Sequence, residues 1–190
     1  MATMYSDPSP AVHTWMGVRP LLRPALRRST FLRDVTPPRL RRPSSLLSDQ
    51  LDELVAIDLH GLVNFPPDTI LDEWCITEDE VFDVAWQNLA ATAGTKMLSS
   101  GNISRVGDDN DNYSPSLLQV PGWLAAVTRS YRHRPVAFIP DPTTLLVVDA
   151  DPTLLVQARK ETHRRYSEAA LPMSERGFTL DPDGLAVEFE

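Results

Sequence analysis

Apolar and polar residues alternate with a period of about 3.6 after Thr77. Val81, Phe82, Ala85 and Leu89 share one face, with Trp86 beside them, which is the spacing of a helix that buries one side. Thr77 is followed three positions later by Glu80, a capping box whose two side chains satisfy amides that the first turn leaves unpaired. Glu78, Asp79 and Glu80 also suit the positive end of the helix dipole. A second stripe, Leu154, Leu155, Ala158, Thr162 and Tyr166, follows Asp151-Pro152, a cap carboxylate with proline at the first helical position. Arg159, Lys160, Arg164 and Arg165 fall on its water-facing side. Between the two, Leu118, Trp123, Leu124 and Val127 predict a helix that starts at Pro115 or Pro121 and runs to about Tyr131.

Shorter apolar runs predict strands. Leu54-Val55-Ala56-Ile57, bounded by Gly61, reads as a buried strand. "PVAFIP" (135–140) and "TLLVVDA" (144–150) are joined by Asp141-Pro142-Thr143 alone, which requires an antiparallel hairpin. "GFTL" and "LAVEFE" flank Asp181-Pro182-Asp183-Gly184 and predict another, with Leu185, Val187 and Phe189 alternating against Ala186 and Glu188. Residues 94–114 hold turn formers and little periodicity, and read as a long loop. The order of elements implies an α+β fold, a mostly antiparallel sheet with helices packed on one face.

Residues 1–48 break this patterning. Pro20, Pro24, Pro37, Pro38 and Pro43 interrupt the leucines, removing helical donors and clashing with the preceding turn. The reading is an extended, partly disordered arm over 1–48, followed by a single α+β domain over 49–190. Charge follows the same division. Residues 1–50 carry eight arginines against three acids, while residues 51–190 carry ten basic and twenty-three acidic residues within a net charge of −8. The acidic body repels nucleic acid and anionic membranes. The arm, through Arg19, Arg23, Arg27, Arg28, Arg39, Arg41 and Arg42, is suited to an acidic surface of the same chain or of a protein partner, or to nucleic-acid phosphates through residues 19–42. An Arg-rich leader also suits an organelle transit peptide, but the prolines spoil the amphipathic helix such a leader needs. With Cys75 as the sole cysteine, no intrachain disulfide forms and a reducing cytoplasm is expected. No apolar run approaches the roughly 18 residues that cross a bilayer, so no membrane partner is expected.

The segment "TEDEVFDVAWQNLA" resembles a helix of the YtpQ-like (DUF1444) family of uncharacterised bacterial proteins, and "RPVAFIPDPTTLLVV" resembles that family's later hairpin. "YSPSLL" occupies the place of the family's Ser-containing segment before a further helix, so the resemblance covers about residues 50–190. It implies the fold and a bacterial cytoplasmic setting, without an activity or cofactor. The family's hairpin turn commonly carries aspartate and arginine. Here Asp141 stands, with Pro142 and Thr143 in the following places, so no arginine-dependent role carries over.

Several chemistries are weighed by their residues. Asp108, Asn110 and Asn112 imitate the first half of a calcium loop, but Tyr113 and Gln119 stand where the turn glycine and bidentate glutamate belong. Asp58 and His60 lie on one side of a strand and, with Asp108, are weak metal candidates that would suit a small metal-assisted hydrolase. His133 and His163 read as residues of arginine-rich helix ends. Cys75 precedes the capping box, where a helix N-terminus lowers a thiol pKa but neighbouring acids raise it. The chain carries no G-x-S-x-G elbow, P-loop or G-x-G-x-x-G, so no catalytic residue and no cofactor are assigned. The sequence reads best as a non-enzymatic protein-interaction or regulatory module.

Overall fold

The computed structural model describes residues 14–46, 49–59, 62–93, 103–106, 111–181 and 186–189. Its first element is helix α1 (Trp15–Val18), capped by the Thr14 hydroxyl, which accepts from the Gly17 amide. A 3-10 turn at Arg19–Leu21 leads into strand β1 (Leu22–Arg28), and strands β2 (Arg41–Pro43), β3 (Leu51–Leu59) and β4 (Leu62–Asn64) complete one antiparallel sheet. β3 is its axis. Leu54 faces Ala25 of β1 and Arg41 of β2, while Ile57 faces Leu22 of β1 and Asn64 of β4.

The expected arm is therefore corrected over its described residues: they belong to the body. The prolines do exclude a helix, but β1 lies at the edge of its sheet, and an edge strand accommodates a residue such as Pro24 that has no amide to donate. Val18, Leu22, Ala25, Leu26 and Leu40 are buried, and these side chains give the segment a reason to fold that its proline content hides.

Helix α2 (Ile70–Trp74) ends at Cys75, which takes a left-handed conformation with φ 54°. Helix α3 (Glu78–Ala93) follows, and its capping box forms as expected. Glu80 Oε2 accepts from the Thr77 amide and hydroxyl at 2.9 Å, and the Glu80 amide donates to Thr77 Oγ1 at 3.3 Å. The backbone and then the side-chain bond from Thr77 hold the Glu80 carboxyl below its ordinary range. Val81, Phe82, Val84 and Ala85 pack with Val55 and Ile57 of β3 and with Trp74, so α3 covers one face of the first sheet.

The second sheet has the order β5-β7-β6-β8-β9, built from β5 (Ile103–Val106), β6 (Pro135–Asp141), β7 (Thr144–Asp149), β8 (Gly177–Leu180) and β9 (Ala186–Phe189). Both expected hairpins are present, β6 with β7 and β8 with β9. β5 lies within the stretch read as a loop. It is four residues long and owes its existence to pairing with β7, which no local pattern announces. The helix expected from Pro115 or Pro121 to Tyr131 is divided into a 3-10 segment, Ser114–Gln119, and helix α4 (Trp123–Val127). Gly122, at φ 72°, separates them, and the anticipated Leu118, Trp123 and Leu124 are buried all the same.

Helix α5 (Pro152–Glu168) starts at Asp151, whose Oδ1 accepts from the Thr153 and Leu154 amides at 2.9 and 3.1 Å. Alternation along β6 divides the core. Val136 and Phe138 pack with Ala158 of α5, whereas Ala137 and Ile139 join a central cluster with Val147, Leu26 and Ala56. That cluster contains residues of both sheets, so the molecule is an α+β fold whose antiparallel strands divide between two sheets around a shared interior. Arg165, expected in water, turns inward to donate to Thr144 Oγ1 at 3.2 Å. Val187, expected inward, is exposed on the outermost strand, while Phe189 packs towards α5.

Candidate recognition cleft

Five of the seven arginines expected to make one basic contact surface, Arg23, Arg27, Arg28, Arg41 and Arg42, are engaged individually within the fold. Arg41 Nε donates to Asp52 Oδ2 at 2.7 Å, and its Nη2 donates to the Ser29 carbonyl at 3.0 Å. Arg42 lies across the ladder from Glu53 and bonds it through Nε at 3.3 Å and Nη2 at 3.4 Å, with its guanidinium 4.1 Å from the centre of the Phe82 ring. Arg23 Nη1 donates to the carbonyls of Pro20 and Leu22. Arg27 is 3% exposed, and Arg28 lies over the Tyr166 ring. Arg39 is half-buried with no partner at Nε among the described residues, and Arg19 is exposed. Of the sequence's alternatives, contact with acids of the same chain describes Arg41 and Arg42.

Arg42 and Glu53 open onto a cleft of about 570 Å³ between β2, α3 and the end of the 3-10 segment. Glu53 is 3% exposed. Besides Arg42 it accepts from Trp86 Nε1, so three elements meet at one carboxylate. Burial pushes the Glu53 carboxyl above its ordinary range, and Arg42 and then Trp86 pull it back only partly. Around this polar floor stand Pro43, Ala90, Val120 and Pro121, with Ser45, Gln87 and Gln119 supplying neutral polar groups. Gln119 Nε2 donates to Ser45 Oγ at 3.3 Å, while its buried Oε1 has no partner among the described residues.

The acid raised by burial sets a sign. Glu53 binds its proton more readily in the folded than in the unfolded chain, so its contribution to stability is complete below the unfolded value of about 4.3 and is lost as pH rises through the folded value. Wild type measured against Glu53→Gln by urea unfolding should therefore gain stability, relative to the variant, as pH falls from 7 towards 4.5. A constant difference across that window would show that Glu53 ionises as it does in water.

The other sequence candidates are scattered. Asp58 is half-buried on β3, and His60 and Asp108 lie outside the described residues, as do Asp109 and Asn110 of the calcium-like loop. Among the described residues, no group of three or more His, Cys, Asp or Glu is placed to hold a metal. Asp111 Oδ1 accepts from the Tyr113 amide at 3.0 Å. Cys75 is exposed at the C-terminal end of α2, donating to the Asp72 carbonyl at 3.5 Å. It stands, as expected, just ahead of the α3 capping box, and it also closes the helix before it. His133 stands before β6 and pairs with Asp149, and His163 lies within α5 and pairs with Glu175. Among the described residues, no helix is long and apolar enough to cross a membrane.

Glu53, Trp86 and Gln119 were not singled out as site residues by sequence. The available signal was the acid Glu53 directly ahead of the apolar run Leu54–Ile57, since a carboxylate inside a buried strand needs partners. No family model, curated protein or solved structure matches the chain.

Proposed function

We propose that the chain is a non-enzymatic interaction module that receives an extended segment of a protein partner in the Arg42–Trp86–Gln119 cleft. The carrying observation is the buried Gln119 Oε1 on the wall of this cleft, which has no partner among the described residues. An acceptor in that position suits a backbone N–H of a bound peptide, because a buried polar atom without a partner is costly. The half-buried Trp86 indole, which lines the cleft together with Val120 and Pro121, suits an apolar side chain on the same peptide. The charged pair Arg42–Glu53 is internally matched, so the cleft favours a segment of low charge. Among the described residues, no histidine or cysteine lines it, and the hydroxyl-bearing residue there, Ser45, is engaged by Gln119. That composition supports recognition over nucleophilic chemistry.

The resemblance to the YtpQ-like family is consistent with such a role and adds no chemistry to it. The basic segment enters this reading as a wall of the site, through Arg42, in place of a free arm. The acidic body keeps the rest of the surface from nucleic acid.

Capture from native lysate on immobilised protein tests the proposal. Ala90→Arg fills the cleft from an exposed position of α3, and Val156→Arg alters an exposed position of α5 far from it in sequence. One defined partner should be retained by wild type and Val156→Arg and reduced about tenfold or more by Ala90→Arg, a loss of roughly 1.4 kcal/mol. Equal capture by all three proteins, or capture of none, overturns the reading.

A further inference from the structure

Arg27 occupies the penultimate position of β1, where its side chain is 3% exposed. Arginine is almost never so buried without a paired anion, yet no carboxylate pairs with it among the described residues. Among the described residues Nη1 makes hydrogen bonds to the Leu26 carbonyl at 2.6 Å and the Asn112 carbonyl at 3.3 Å, and buried Nε finds no partner. The faces of Phe31 and Phe65 stand 5.9 and 5.5 Å from the guanidinium carbon. These rings steady a cation without neutralising it. Burial accordingly pulls the Arg27 guanidinium down to about 10, with the Tyr113 phenol acting in the opposite direction.

The same arginine lines a cavity of about 340 Å³ between the loop that follows β1 and the segment that follows α5. The loop wall carries Thr30, Phe31 and Leu32, and the opposite wall Leu171 and Met173. Leu32 takes φ 51°, a conformation a leucine adopts only when its surroundings impose it. Leu171 is 47% exposed at the rim. One buried cation thus meets a mainly apolar chamber that is open at one end.

We propose that this cavity binds a small amphipathic carboxylate, its head on the Nε side of Arg27 and its apolar body between Phe31, Leu171 and Met173. The unused edge of a guanidinium offers two parallel N–H donors, the geometry that matches a carboxylate. A phosphate dianion would need more donors than the chamber supplies. Beyond Arg27 there are Arg28, drawn over the Tyr166 ring, and the Thr30 hydroxyl.

The test uses the full chain with octanoate, octanol and inorganic phosphate as probes, read by calorimetry and by the NMR signal of the Arg27 Nε–H group. Octanoate should bind saturably at one site and shift that signal, and octanol should not. Leu171→Asp, at an exposed rim position that leaves the core intact, should weaken octanoate about tenfold or more, and Arg27→Met should abolish the binding. The proposal is overturned if octanoate does not saturate, if octanol binds equally, if phosphate saturates in its place, or if Leu171→Asp retains full affinity.

Discussion

A chain lacking residues 14–46 is expected to lose its cooperative unfolding transition, and not to survive as a trimmed body. The deletion removes β1 along its full pairing from Leu22 opposite Ile57 to Arg28 opposite Leu51, and strips β3 of β2 as well. It also removes the buried Val18, Leu22, Leu26, Leu40 and Leu46. At about 1.5–3 kcal/mol for each buried aliphatic side chain the loss is on the order of 10 kcal/mol, comparable to the whole stability of an ordinary domain. Thermal melting by circular dichroism and the dispersion of amide NMR signals give the readout. A sigmoidal melt with dispersed amides after the deletion would show that the first sheet does not depend on β1. It follows that deleting the basic segment cannot test nucleic-acid contact, since lost binding would report lost folding. Substitution of the exposed Arg19 and Arg33 separates charge from fold.

This expectation reverses what composition suggests, and the reason is physical. The two long helices, α3 and α5, were legible because their information is local. Thr77 with Glu80 and Asp151 with Pro152 announce two starts, and each cap forms with the anticipated bonds. The β6–β7 hairpin was legible because Asp141-Pro142-Thr143 leaves no room for another connection. β1 was hidden because its partner, β3, lies more than twenty residues away in sequence, and because prolines that forbid a helix permit an edge strand. β5 was hidden in the same way, its four residues being defined by β7. Charge misled for a related reason. Counting arginines treats them as exposed, whereas Arg41 and Arg42 acquire their roles from Asp52 and Glu53 directly or diagonally across the ladder. The cleft depends on β2, α3 and the 3-10 segment meeting, a conjunction of three distant stretches that no single window contains.

Phe82→Ala should be the most damaging single substitution near the cleft, lowering stability by about 3–5 kcal/mol, whereas Phe82→Leu should cost about 1 kcal/mol. Phe82 is fully buried and packs with Val55, Val81 and Ala85, so truncation leaves a void bounded by the first sheet and α3. The same ring carries the Arg42 guanidinium at 4.1 Å. Alanine therefore withdraws the seat that holds Arg42 against Glu53 as well as the packing. A double-mutant cycle with Arg42→Met separates the two effects, because contacts that depend on one another are not additive. A coupling of about 0.5–1 kcal/mol between the sites is expected, because the Arg42 cation on this buried ring is itself partly open to solvent. Urea midpoints of the four proteins supply the measurement, and additive costs would show that Arg42 rests on Glu53 alone. If the coupling is present, the position of α3 is transmitted to the floor of the cleft through one aromatic ring. Leucine at position 82 would then preserve the fold while altering recognition.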